Sequence, residues 1–258
     1  MSEYEQRFSG IARLYGRDAL ERLRSAHVAV IGIGGVGSWS VEALARSGVG
    51  RLTLIDLDDI CVTNTNRQIH ATTKNIGQLK AQAMADRVRE INPEIQADVV
   101  PEFLTSANAD KLLSRDFDCV LDAIDNVANK CLLIAECCQR KLPIITTGGA
   151  GGRRDLTQIR TADLNEVTHD ALLRQVRKRL RREHSICETG KLDLGIRCVF
   201  STEPVKFPWS DGSICEEKEP VGESLRLDCN SGYGTATFLT GAFGFAAAAE
   251  VVGLVAAR

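Results

Sequence analysis

The residues with the clearest chemical signature lie between positions 32 and 125. Gly32-Ile33-Gly34-Gly35-Val36-Gly37 interrupts the β-branched run at residues 27–33 (HVAVIGI). At a strand-to-helix turn, glycines permit the tight bend and let backbone N–H groups approach a phosphate at the helix N-terminus. Asp56 ends the next apolar run at the spacing of a ribose-binding carboxylate, with Asp58 two residues on. These features predict a nucleotide site without identifying the nucleotide, since a dinucleotide dehydrogenase uses the same geometry. The next segments discriminate. Hydride transfer needs a flat apolar slot, whereas a triphosphate needs cations at its far end and a carboxylate for magnesium. Arg67, in Thr63-Asn64-Thr65-Asn66-Arg67-Gln68, and Lys80, in Gly77-Gln78-Leu79-Lys80-Ala81, are candidate cations. Asp125, in Asp122-Ala123-Ile124-Asp125-Asn126, is the candidate magnesium ligand. Singly, each has a plain alternative: a loop ion pair, a solvated helix residue, a helix N-cap.

These residues need elements to hold them. Residues 38–47 have helical spacing at Val41, Leu44 and Ala45, and 51–55 (RLTLI) form a second apolar run, so the opening reads β-α-β. Residues 75–91 predict a helix ended by Asn92-Pro93. Apolar runs at 97–100, 119–122 and 143–147 alternate with helical patterns at 107–113 and 130–140. The alternation predicts an α/β fold: a doubly wound, mainly parallel, Rossmann-like sheet. Beyond Gly148 an edge strand (158–161), a basic helix (170–182) and a strand (197–201) predict an antiparallel extension of that sheet in the C-terminal half. Residues 207–228 lack periodicity and read as a long loop. Residues 235–257 form an alanine-rich helix, with Phe238, Ala242, Phe245, Ala249 and Val252 in one stripe against the sheet or a partner subunit. We expect one domain over 1–258, with the nucleotide-binding half at 1–150 and the substrate and dimer half at 151–258.

Composition bounds the function. The 32 Lys and Arg against 34 Asp and Glu leave a net charge of -2, so a polyanion must meet a local patch. With 44% apolar and 26% charged residues, a disordered or low-complexity chain is excluded. The nine cysteines include no C-x-x-C pair, which argues against a stable zinc site and a disulfide framework. Their odd number, with no apolar leader at the start, predicts a reducing, cytoplasmic setting. Cys119, Cys131 and Cys198 fall in apolar patterns as inert buried thiols. Cys187, Cys215 and Cys229 fall in loop-like sequence and receive no catalytic role.

GIGGVG, DLDD, TNTNRQ, GQLKA, EINP and DAIDN stand in the order and approximate spacing of the ubiquitin-activating-enzyme-like adenylating superfamily, which the chain resembles over its first half. The resemblance implies an enzyme, a homodimer or pseudodimer, that adenylates a carboxylate using ATP and Mg2+. It sets the loop of Gly32, Gly34, Gly35 and Gly37 against the phosphates and Asp56, with Asp58 beside it, at the ribose. Asn64, Arg67 and Lys80 fall on the phosphate chain, and Asp125 with Asn126 falls near magnesium and the α-phosphate. Arg13, in Ala12-Arg13-Leu14-Tyr15-Gly16, matches an arginine that reaches the partner subunit's ATP. Arg13, Arg67, Lys80 and Asp125 are thus the catalytic set.

More narrowly, IARLYG (11–16), VTNTNRQIHA (62–71), TTGGAGG (146–152), CVFSTE (198–203) and SGYG (231–234) are similar to the tRNA threonylcarbamoyladenosine dehydratase family. That family closes the threonylcarbamoyl side chain of adenosine 37 into a ring. The resemblance implies transfer of AMP to the carboxylate, then attack by a nitrogen of the same side chain, with no enzyme nucleophile. A tRNA needs a cationic surface, and Arg174, Arg177, Lys178 and Arg181 crowd one helix together with Arg179 and Arg182, with Arg153, Arg154 and Arg160 upstream. The alternative is a solvated face balanced by the acidic residues around 216–219. Alongside tRNA and a second copy, a cysteine-desulfurase or sulfur-acceptor system is a candidate partner. Three other readings compete. An activator of a ubiquitin-like or sulfur-carrier protein is the first, but the sulfur-carrier members carry two C-x-x-C pairs missing here. The others are a non-catalytic nucleotide-binding scaffold and a NAD-dependent oxidoreductase. Residues 235–257 are long enough to cross a bilayer, yet glycine, alanine and Glu250 remove the drive to insert. A soluble helix is expected, with peripheral membrane association as the alternative.

Overall fold

The computed structural model describes residues 1–186, 194–219 and 233–258; Cys187, Cys229 and the first two residues of the 231–234 motif lie outside them. The apolar runs become strands β1 (His27–Ile31), β2 (Arg51–Ile55), β3 (Gln96–Val100), β4 (Cys119–Asp122), β5 (Ile144–Thr147), β6 (Ile159–Asp163) and β7 (Arg197–Ser201). They form one sheet in the order β3-β2-β1-β4-β5-β7-β6. Only β6 runs antiparallel, paired with β7. Every residue of β1 is buried, as a central strand covered on both faces requires.

One face carries α3 (Arg17–Ser25), α4 (Gly37–Arg46), α5 (Lys80–Ile91) and α9 (Thr237–Ala256), packed through Leu23, Leu44, Met84 and Phe243. The other carries α6 (Ala109–Leu113), α7 (Val127–Arg140) and α8 (Ala171–His184), packed through Leu112, Ile134 and Val176. Outward from β1, the chain fills one side of the sheet with β2 and β3, then returns to place β4 on the other. The β1–β4 boundary is therefore the switch point at which open α/β sheets bind ligands, beyond the carboxyl ends of the strands.

Several elements differ from expectation. Two short helices, α1 (Glu3–Arg7) and α2 (Ser9–Tyr15), precede α3 where the sequence reads only as polar. They are held by a small cluster of Tyr4, Phe8 and Leu20, with the Tyr4 hydroxyl donating to the Gly48 carbonyl at 2.5 Å. The helix expected over 75–91 begins only at Lys80, because residues 59 and 79 bridge and the Ile60 and Gly77 amides bond to Gln78 and Ile60 carbonyls. The stretch expected as a loop from 207 contains a small hairpin, Phe207–Pro208 against Ile214–Cys215.

The stripe expected on α9 also faces the wrong way. Phe238 and Phe245 are about half exposed, 55% and 50%, while Leu239, Phe243, Ala247, Val251 and Val255 are buried. Close approach to α4 decides it. A side chain at Gly244 would meet Trp39 Cβ and the Val36 carbonyl at 2.7 Å, so glycine stands at the α4 contact, Leu239 and Phe243 fill the core, and Phe238 and Phe245 stay half exposed. Val252 alone of the expected stripe is fully packed, at 3% exposure.

Candidate active site

The glycine turn after β1 is shaped by its neighbours. Gly32 has φ +88°, and a Cβ there would stand 2.8 Å from the Ala123 carbonyl at the end of β4. A Cβ at Gly37 would overlap the Gly32 carbonyl outright. Only glycine lets β1, β4 and the start of α4 come this close. No side chain caps α4, whose positive dipole end therefore lies at the glycine turn without a capping carboxylate or hydroxyl.

Asp56 sits behind that turn, 6% exposed. One carboxylate oxygen accepts the Ile33 N–H at 2.6 Å, the other the Asp58 N–H at 2.8 Å. Burial raises its pKa against the opposing pull of these two N–H groups and the nearby Lys80. Its remaining lone pairs suit a hydroxyl donor. Asp58, half exposed, pairs with Lys80 Nζ at 2.6 Å, so the ammonium is held by a carboxylate rather than left solvated.

Arg67 lies across the glycine turn, with its Cγ and Cδ 3.6 Å from where a Gly35 Cβ would stand. Its Nη1 donates to the Thr63 carbonyl and to Asn66 Oδ1, at 2.8 and 3.1 Å. Asn64 is buried, and its Oδ1 accepts the Cys61 N–H at 2.9 Å, which closes the turn carrying Arg67. Asp125 is exposed at the end of β4. The N-cap of α7 is Asn126, whose Oδ1 accepts from the Ala128 and Asn129 amides, so the capping alternative for Asp125 falls away.

Asp56, Asp58, Arg67 and Lys80 thus gather at the glycine turn beyond the carboxyl ends of β1 and β2, and Asp125 lies just past the end of the neighbouring β4, whose Ala123 carbonyl meets Gly32. Arg13 is not among them: it is exposed on α2 and has no hydrogen bond or ion pair among the described residues. Among those residues, no group of three or more His, Cys, Asp or Glu could jointly hold a metal. Magnesium needs none, because it keeps several waters and takes one or two carboxylates plus nucleotide phosphates. An exposed carboxylate without a hydrogen bond or ion pair among the described residues, as Asp125 is, fits that demand.

Three residues that sequence reasoning missed hold this site. The Arg67 carbonyl accepts from Thr240 Oγ1 and Trp39 Nε1, both at 3.1 Å. His70, 1% exposed, contacts the Ile33 carbonyl through Nε2 at 2.9 Å, and burial lowers its pKa to about 4. The ring is therefore neutral, and its Nε2 carries the donated hydrogen. The signal for all three is long-range, apart from their presence within or near a motif.

The cationic surface is smaller than expected. Arg153 is buried, 3.3 Å from Asp170, and donates to the Gly149, His169 and Glu203 carbonyls. Arg177 spends Nη1 on the Leu164 and Val167 carbonyls. Arg179 and Arg182 pair with Glu183. Arg174, Lys178, Arg181 and Arg182 are exposed, the first three spaced by four and three residues along the outer face of α8. The acidic residues 216 and 219 bond instead to Lys206 and Ser210.

Residues 8–258 match the model of the ThiF family. The chain belongs to the ThiF family. Within it, the chain belongs with the tRNA threonylcarbamoyladenosine dehydratases. It is 49% identical to that of Escherichia coli K12 over 96% of this chain and 93% of the relative. It is also 49% identical to that of Haemophilus influenzae, over 98% and 94%. A crystal structure of the E. coli tRNA N6-threonylcarbamoyladenosine dehydratase in complex with ATP matches with a TM-score of 0.87 at 44% identity, covering 100% of this chain and 96% of that one. This ThiF-family chain therefore shares the dehydratases' fold throughout, not only in the nucleotide half.

Proposed function

We propose that the chain is an ATP-dependent dehydratase that adenylates the carboxylate of N6-threonylcarbamoyladenosine at position 37 of tRNA and closes it into a ring. The observation that supports this reading is the gathering of Asp56, Arg67 and Lys80 at the glycine turn of the switch point, with Asp125 just beyond the adjacent β4, in a chain similar to dehydratases along almost its full length.

A carboxylate oxygen of the substrate attacks the α-phosphorus of ATP, and the bond to pyrophosphate breaks. The glycine turn and the amides of α4 receive the phosphates, Asp56 accepts from the ribose, and Arg67 and Lys80 stabilise charge gathering on the phosphate oxygens. Asp125 would hold Mg2+, whose chemistry is to neutralise that charge and orient the departing pyrophosphate. A nitrogen of the same side chain then attacks the activated carbonyl, loses its proton, and AMP leaves. The attack is intramolecular, so positioning supplies much of the rate. Buried Cys119, Cys131, Cys137 and Cys198 have thiols raised above the ordinary range by burial, which suits a reaction without a cysteine nucleophile.

The outer row of α8, Arg174, Lys178 and Arg181, meets tRNA phosphates. The working form is a cytoplasmic homodimer in which Arg13 reaches the partner's ATP; the exposure of Arg13, Leu14 and Tyr15 on α2 supports this. The test is to incubate the protein with ATP and either modified tRNA or a small carrier protein and follow pyrophosphate release. Release with tRNA alone is expected. Release with the carrier alone would replace this reading with a protein-activating one.

A further inference from the structure

Lys130 and Asp122 form an ion pair in which neither side chain has any solvent exposure, Nζ to Oδ2 2.7 Å. Thr146 completes it: its hydroxyl donates to the same oxygen at 2.6 Å and accepts from Lys130 at 3.0 Å. The other carboxylate oxygen accepts the Ile124 N–H at 3.0 Å, and the Thr147 hydroxyl donates to the Asp122 carbonyl at 3.2 Å. Nothing in the reaction above uses this cluster.

Desolvating two charges largely offsets their attraction, so apolar side chains of the same volume would serve stability as well. What an apolar pair lacks is direction. Asp122 is the last residue of β4, and Lys130 lies one turn into α7. A single carboxylate thus ties the strand, the helix, the end of β5 and the Ile124 amide together, one residue before Asp125. We propose that Lys130, acting through Asp122 and Thr146, is a positioning residue that fixes the 123–126 turn and so aims Asp125 into the crevice. The proposal rests on Asp125 being the carboxylate that meets magnesium.

The test is the double variant Asp122→Asn, Lys130→Met, which removes both charges and leaves neither unpaired. Thermal melting and far-UV circular dichroism report the fold; kcat, the KM for ATP and the half-saturating Mg2+ concentration report the site. We expect a melting temperature close to that of the parent, kcat lowered by about tenfold to a hundredfold as for an ångström-scale misplacement, an ATP KM within about twofold, and a raised Mg2+ requirement. A folded double variant with unchanged kcat and Mg2+ requirement would overturn the proposal. If the double variant does not fold, Thr146→Val decides, since it deletes one hydroxyl at constant shape. Lowered kcat with a raised Mg2+ requirement, both restored by Thr146→Ser, supports the proposal, and parental values overturn it. Asp125→Asn in the same assays separates the two ideas. If it leaves the Mg2+ requirement unchanged, the magnesium reading fails; if it alone shifts that requirement, the positioning idea fails and the reading stands.

Discussion

At the scale of single residues, the site makes two demands that mutation can measure. Lys80 is nearly buried with its ammonium on the half-exposed Asp58, and Asp125 is exposed, so neither side chain belongs to the apolar core and truncation should cost chemistry more than fold. Lys80→Ala or Asp125→Ala is expected to lower pyrophosphate release by about a hundredfold or more at saturating ATP, with a parental circular dichroism spectrum. Wild-type turnover in either would mean the adenylation site lies elsewhere. His70 makes the second demand. Its folded pKa, about 4, lies below the ordinary 6.5 because burial disfavours the charged ring. The unfolded chain therefore binds the extra proton first as pH falls. The stability linked to the neutral ring is complete above pH 6.5 and is lost from there down through pH 4, by at most about 3 kcal/mol. Urea unfolding at pH 7 and pH 5 should show a smaller pH-dependent loss in His70→Asn than in the parent. Asp56, whose pKa burial raises, has the opposite dependence, so the comparison between the two proteins isolates His70.

At the scale of elements, α8 shows how pattern and packing divide the information. Leu173, Val176 and Leu180 recur at helical spacing and pack on the α7 side, which pushes Arg174, Lys178 and Arg181 outward. Neutralising these three together is expected to weaken tRNA binding and flatten the logarithmic salt dependence by about one unit per lost phosphate contact, with ATP binding unchanged. An unaltered slope would leave α8 as a solvated face. That row was legible because a helix repeat is local. Arg153 and Arg177 were not separable from it, since what removes them from the surface is a pair with Asp170 and carbonyls at 164 and 167, contacts that only the tertiary fold brings about. The same division holds at the crevice. Asp56 and Asp125 follow strand ends, and Arg67 and Lys80 sit in contiguous motifs, so all four are readable locally. Trp39, Thr240 and Lys130 act across contacts between elements, and nothing in their own neighbourhood marks them. On α9 the local signal misled: helical spacing suggested an inward stripe of Phe238, Ala242, Phe245, Ala249 and Val252, whereas the close approach to α4 at Gly244 turns the helix so that Leu239, Phe243, Ala247 and Val251 are buried instead. Gly244→Val should accordingly destabilise the fold by typically about 1–3 kcal/mol through overpacking against Trp39, read as a lowered melting temperature.

At the scale of the molecule, the open question is what completes the crevice. The site described so far draws its cations from one chain, Arg67 and Lys80, while α2 presents Arg13 beside an exposed Leu14 (73%) and a half-exposed Tyr15 (40%). A cation among apolar side chains on a short surface helix is the composition of an interface edge rather than of a solvated face. α9 adds exposed Phe238 and Phe245 without being free to leave the sheet, because its other side is buried against α4 and the strands. Both features favour a second copy over a lipid surface. If the interface is isologous, each Arg13 serves the opposite ATP site, and two inactive variants can complement each other. Arg13→Ala lacks the donated arginine and Lys80→Ala lacks the receiving cation, so a heterodimer carries one intact site. Co-expression in equal amounts makes half the dimers mixed, each with one working site of two, and turnover should recover to about a quarter of the parent value. Each variant expressed alone should stay inactive, and sedimentation should give a dimer for both. Equal inactivity of the mixture, with mixed dimers demonstrated by differential tags, would confine Arg13 to its own chain, and a purely monomeric protein would remove the shared site altogether.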